Sequence, residues 1–135
     1  VGAGEGEWDG AVTAAEFAID VANALGGYRL RWSTEEQLQE RILLALMTSG
    51  MPFLREYNLG QSGRIDFYNP EHRVGLEVKV KGSSALVTRQ LYRYAENDQV
   101  DALVLVTSKA RHATALPEKM NGKVIRVVTL WRSGL

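Results

Sequence analysis

Residues 102–107 read ALVLVT, an apolar run with no charged residue. As a strand it has no face suited to water, so it must be covered on both sides. That requirement drives the chain toward a sheet held between layers of helix. Helical patterns flank it as the requirement demands. Ala14, Phe17, Ala18, Val21 and Leu25 fall on one face of a helix over about 11–25. Thr13 and Glu16 have capping-box spacing, and Gly26-Gly27 follows. A second helix is expected over about 34–49, where Leu38, Ile42, Ala45 and Leu46 recur at helical spacing. Ser33 and Glu36 match a capping box at its start, and Gly50 and Pro52 end it. A third helix is expected over about 85–97, and a short helical piece near 109–120.

Strands are expected near 53–59, 64–69 and 73–81, with NPEHR as the turn between the last two and Pro70 placed as a turn residue. YRLRW (28–32) alternates apolar and basic residues and reads as a short strand. KVIRVVTL supplies the last strand. The predicted order is α-α-β-β-β-α-β-α-β. The fold class is α/β, a mixed central sheet flanked by helices.

A chain of 135 residues is expected to form one domain. Residues 1–10 read as a Gly- and acid-rich tail, 11–32 as a helical extension, and about 33–107 as the core of a domain reaching 135. Cysteine is absent, which excludes disulfides and thiolate chemistry and accords with a cytoplasmic setting. His72 and His112 have no close partner of zinc-ligand type. GSS at 82–84 is too short for a phosphate-binding Walker loop. No apolar run is long enough to span a membrane. Net charge is zero, yet residues 64–93 hold six bases and three acids, whereas 1–45 hold eight acids and three bases.

Two of the three acids in the basic stretch are Asp66 and Glu77. Glu77 and Lys79 share one face of a strand whose other face is Leu76, Val78 and Val80. A short turn makes the preceding strand an antiparallel neighbour, so Asp66 can meet Glu77. A charge in such a strand costs several kcal/mol unless it is paired or bound to metal. The plain solution is an ion pair with Lys79 or Arg64. The alternative is a hard divalent cation, Mg2+ or Mn2+, held by the carboxylates. Glu35 shares a helix face with Leu38, Ile42 and Leu46. It is either a charge favourable to the helix start or a third carboxylate at the site. Gln90 and Tyr94 form an i, i+4 pair beside Val87 and Leu91, and Arg89 and Arg93 form another around the helix. They read as an ordinary amphipathic helix or as a phosphate-facing one.

The pattern Asp66-x(10)-Glu77-x-Lys79 resembles the signature of the PD-(D/E)XK nuclease superfamily. TEEQLQERILLAL (34–46) resembles the helix that opens its core, and RQLYRY (89–94) the Q-x-x-x-Y element of the RecB-like branch. Ile65 stands where proline is usual, and the interval from Lys79 to Gln90 is short for RecB-type enzymes, so a Holliday-junction-resolvase-like branch stays open. The resemblance implies a restriction-endonuclease-like fold and Mg2+- or Mn2+-dependent hydrolysis of DNA. It implies that Asp66, Glu77 and the Val78 carbonyl bind the metal, assisted by a carboxylate of the opening helix, Glu35 by its position relative to Leu38 with Glu36 and Glu40 left open, and that Lys79 positions the attacking water. It places Gln90 and Tyr94 at the substrate, with Arg64, Lys81, Arg89 and Arg93 on neighbouring phosphates. The rival is the same fold used only to bind nucleic acid or a protein partner. A domain this small is expected to act as a homodimer or within a larger complex, with YRLRW, Trp131 and the first helix as contact surfaces.

Overall fold

The computed structural model describes residues 12–130. The tail at 1–10 and Trp131 lie outside the described residues. Helix α1 (Ala14–Gly26) opens with Thr13, whose hydroxyl accepts from the Glu16 N–H while the Glu16 carboxylate accepts from the Thr13 N–H. This is the capping box expected there. Helix α2 spans Glu35–Thr48, and its N-cap is Thr34, not Ser33. The Thr34 hydroxyl accepts from the Gln37 N–H, and the Gln37 side chain accepts from the Ser33 N–H. The cap therefore sits one residue later than Ser33, Glu36 has no part in it, and Gln37 reaches past the N-cap to Ser33 instead of closing a reciprocal box.

Strands β1 (Leu54–Asn58), β2 (Arg64–Asn69) and β3 (Val74–Lys79) follow, with a 3-10 turn at Gly60–Ser62. The NPEHR turn is closed by Asn69, whose side chain accepts from the His72 N–H and whose carbonyl accepts from the Arg73 N–H. Helix α3 (Ser84–Ala95), strand β4 (Ala102–Thr107), helix α4 (Ala110–Ala115) and strands β5 (Lys119–Met120) and β6 (Lys123–Thr129) complete the described chain. Strand β5 was not expected; it is a two-residue edge piece on β6.

The sheet order is β1-β2-β3-β4-β6-β5. The β1–β2–β3 meander is antiparallel, whereas β3, β4 and β6 run parallel. Every residue of β4 is buried, as an all-apolar strand at the centre requires. One face carries α1 and α2, which bury Phe17, Val21, Leu38 and Ile42 against Leu76, Val78, Val104 and Val106. The other carries α3, with Val87, Leu91 and Tyr94 against Leu103 and Leu105.

One expectation fails and another narrows. YRLRW forms no strand. Its alternation is one of burial, with Leu30 buried and Trp32 packed on the α1–α2 side while Arg29 and Arg31 stay exposed. The first helix uses its apolar face against β4 and β6, so only its outer face, with Glu16, Ile19 and Asp20, is left for a contact. Helix α1 and strand β6 both belong to the core, which therefore extends well beyond 33–107.

Candidate active site

The site forms where the β2–β3 ladder stops. Pairing runs Asn69–Val74, Tyr68–Gly75, Phe67–Leu76. The next rung would set Asp66 opposite Glu77, but there the backbones part and side chains take over. The Glu77 Oε1 accepts from the Asp66 N–H at 3.1 Å, and the Asp66 Oδ2 accepts from the Val78 N–H at 2.8 Å. The two carboxylates thus fill the wedge between the strands. In an extended strand a residue's N–H and C=O face the same side, so the Val78 carbonyl is directed into this wedge as well.

The wedge has a local cause. In β1 and β2 the inward–outward alternation breaks at one rung. Arg55 lies over the Phe67 ring on the α1–α2 face, yet Tyr57 stacks on Tyr68 on the α3 face. Likewise Phe67 packs on the α1–α2 face while Ile65 packs on the α3 face. The residues between them are Glu56, with a left-handed φ of 53°, and Asp66. A non-glycine residue in that region marks local strain. Here it re-aims two strands and turns Asp66 toward β3. Gly75 makes room for the change, since a Cβ there would stand 2.5 Å from Ile65 Cδ1.

Glu77 is 3% exposed, and Lys79 approaches its Oε2 at 3.3 Å. Burial, then the Asp66 charge, pushes the Glu77 carboxyl up to about 8, against the pull of Lys79. Burial also raises Asp66, opposed by the Val78 hydrogen bond and Lys79. The expected shared face of Glu77 and Lys79 is present. The neighbouring helix is α3, whose Tyr94 hydroxyl proton is held more tightly by burial and by the Glu77 and Asp66 charges.

Other expected residues stand elsewhere. Glu35 does not join Asp66 and Glu77. Among the described residues no three acidic or histidine side chains group to hold a metal. The reason is that α2 packs on the face opposite α3, so Glu35 lines a cavity with Val80 and Lys81. Tyr94 is 1% exposed and donates its hydroxyl to the Arg64 carbonyl, while Gln90 donates to the Tyr94 oxygen. Tyr94 therefore braces β2 from α3 rather than presenting itself to a substrate. Arg64 pairs with Glu56 at 3.6 Å on the surface. Arg89 and Arg93 line an exposed groove on α3 with Leu86 and Tyr92. Glu56 was not singled out from the sequence. It is the residue across from Asp66 in the β1–β2 register, and its charge adds to the rise at Asp66. No sequence pattern marks it, because its place follows from a backbone turn.

The fold is α/β, a mixed sheet between helices in the restriction-endonuclease-like arrangement of elements. No protein-family model, curated protein or solved structure matches the chain.

Proposed function

We propose that the chain is a metal-dependent nuclease of PD-(D/E)XK type that hydrolyses phosphodiester bonds in DNA. The observation that carries this reading is the convergence of Asp66 and Glu77 at the end of a split ladder with Lys79 beside them. Two carboxylates face one ammonium, and a backbone carbonyl shares their wedge. Once Glu77 gives up its proton, that donor set of hard oxygens carries excess negative charge and fits Mg2+ or Mn2+. Asp66, Glu77 and the Val78 carbonyl would hold the ion, with no direct place for Glu35. A bound divalent ion supplies Lewis acidity and lowers the pKa of water. Lys79, partly exposed next to Glu77, orients the attacking water and offsets charge on the phosphate. Tyr94 and Gln90 hold the β2 strand that carries Asp66. Arg64, Arg89 and Arg93 offer cations to flanking phosphates.

The decisive experiment is an assay on single-stranded, duplex and branched DNA with Mg2+ or Mn2+. Wild type is expected to cut and Lys79→Ala to lose cutting while keeping the metal. Equal cutting by Lys79→Ala would remove Lys79 from the reaction. One observation favours a second reading, a non-cutting module that binds nucleic acid or protein. Both carboxylates already have hydrogen-bond or ion-pair partners without a cation. That reading predicts no rise in melting temperature with Mg2+ or Mn2+, whereas a bound ion must raise it.

A further inference from the structure

A cavity of about 500 Å3 opens beyond the carboxyl ends of the parallel strands. Val80 follows β3, Lys109 lies just past β4, and Leu130 follows β6. Crevices in this position are the usual ligand sites of open α/β sheets, and the volume lies within the range of small-molecule pockets. Trp32, Val80 and Leu130 form an apolar wall, while Lys81 and Lys109 bring two ammonium groups from separate loops. Neither lysine has an ion-pair partner among the described residues. Glu35 supplies a carboxylate at the same rim. Lys81 lies two residues beyond Lys79, so the cavity adjoins the end of the strand that carries the candidate active site.

We propose that this cavity is a nucleotide subsite that takes one unpaired nucleotide of the DNA strand next to the scissile phosphate. An apolar aromatic wall suits a base, and two unpaired cations suit a phosphate. A carboxylate accepts a hydrogen bond from an exocyclic amine, as on cytosine, and opposes the carbonyl that thymine shows at that position. The role as a substrate subsite rests on the nuclease reading; nucleotide binding in the cavity does not. The site separates Lys79, which works on the reacting phosphate, from Lys81 and Lys109, which hold its neighbour. It also gives Glu35 a task that its distance from Asp66 and Glu77 otherwise leaves open.

The test is titration of metal-free protein, kept in chelator, with deoxycytidine 5′-monophosphate and thymidine 5′-monophosphate, followed by calorimetry. Wild type is expected to bind both saturably and to prefer the cytosine nucleotide. Lys109→Gln should weaken binding about tenfold or more, as loss of one charge-assisted contact does. Lys109→Arg should restore it, which guards against a folding defect. Glu35→Gln should reduce the preference toward equality. Absence of saturable binding by wild type, or equal affinity for wild type and Lys109→Gln, would overturn the subsite. Equal wild-type affinity for the two nucleotides would overturn the Glu35 contact. Nucleotide binding by a protein that cuts no DNA would keep the cavity and sink the hydrolase instead; cutting without nucleotide binding would do the reverse.

Discussion

Glu77 is where burial and charge meet most sharply. Burial and the neighbouring Asp66 charge raise its pKa from 4.5 to about 8. The folded protein therefore holds a proton that the unfolded chain releases at lower pH. The stability this group contributes is complete below about 4.5 and is lost as the pH rises toward 8. Its size is on the order of a few kcal/mol for the metal-free protein. Glu77→Gln should flatten that decline in urea-unfolding free energies measured from pH 5 to 8. A cation seated between the carboxylates must displace the proton. Its affinity should rise by up to about tenfold per pH unit through this window and level off above it. Calorimetric Mn2+ titrations at successive pH values check this, and a pH-independent affinity would place the ion away from Glu77. The neighbourhood of Asp66, Glu77 and Lys79 was legible in the sequence because strand periodicity and one short turn set Asp66 across from Glu77. Glu56 was not, because nothing in LREYN announces a left-handed residue. The placements of Glu35 and Tyr94 were not legible either. Helix spacing tells which side of a helix a residue occupies, but not which face of the sheet the helix will cover.

Elements were read well where one period dominated and less well at their ends. The start of α2 shows why. Ser33-x-x-Glu36 and Thr34-x-x-Gln37 both satisfy the capping pattern, and the sequence offers no reason to prefer one. The chain uses Thr34 as cap, while the Ser33 contact to Gln37 comes from its backbone N–H. Thr34→Ala should therefore cost about 1 kcal/mol, whereas Glu36→Gln, outside the cap, should cost less than half as much. Chemical denaturation of the two variants measures the difference directly. The β2–β3 hairpin depends on a second detail of this kind. A Cβ at Gly75 would meet Ile65 Cδ1 at 2.5 Å and Leu103 Cδ2 at 3.1 Å, inside a fully buried cluster. Gly75→Ala should destabilise by about 1–3 kcal/mol through overpacking. Because Ile65 precedes Asp66, the same variant should also weaken Mn2+ binding, although residue 75 touches neither carboxylate. Loss of stability with unchanged metal affinity would show that the wedge does not depend on how Ile65 packs.

At the scale of the molecule, the helix-covered sheet was legible because ALVLVT admits few other environments. The extent of the core was not, because it depends on contacts between residues far apart in sequence. Helix α1 lies at the start of the described chain and β6 at its end, yet α1 packs directly on β6 and β4. Ala18, Val21 and Leu25 are wholly buried in the same cluster as Val104, Val106 and Val128. A chain starting at residue 33 would leave that side of the central strands facing water, although it keeps every residue of the candidate active site. If α1 were an appendage, such a fragment would fold and bind Mn2+. If it is one wall of the core, the fragment should show no cooperative thermal transition. Val21→Asp in the full chain tests the same wall without removing any backbone. An unpaired carboxylate placed there costs several kcal/mol, a large share of the roughly 5–15 kcal/mol that holds a domain together. Circular dichroism melts of Val21→Asp should show a transition lowered by tens of degrees or absent. A surface control at the exposed Asp20, Asp20→Asn, should melt close to wild type. Near-native melting of Val21→Asp would mean that the sheet can do without its first helix.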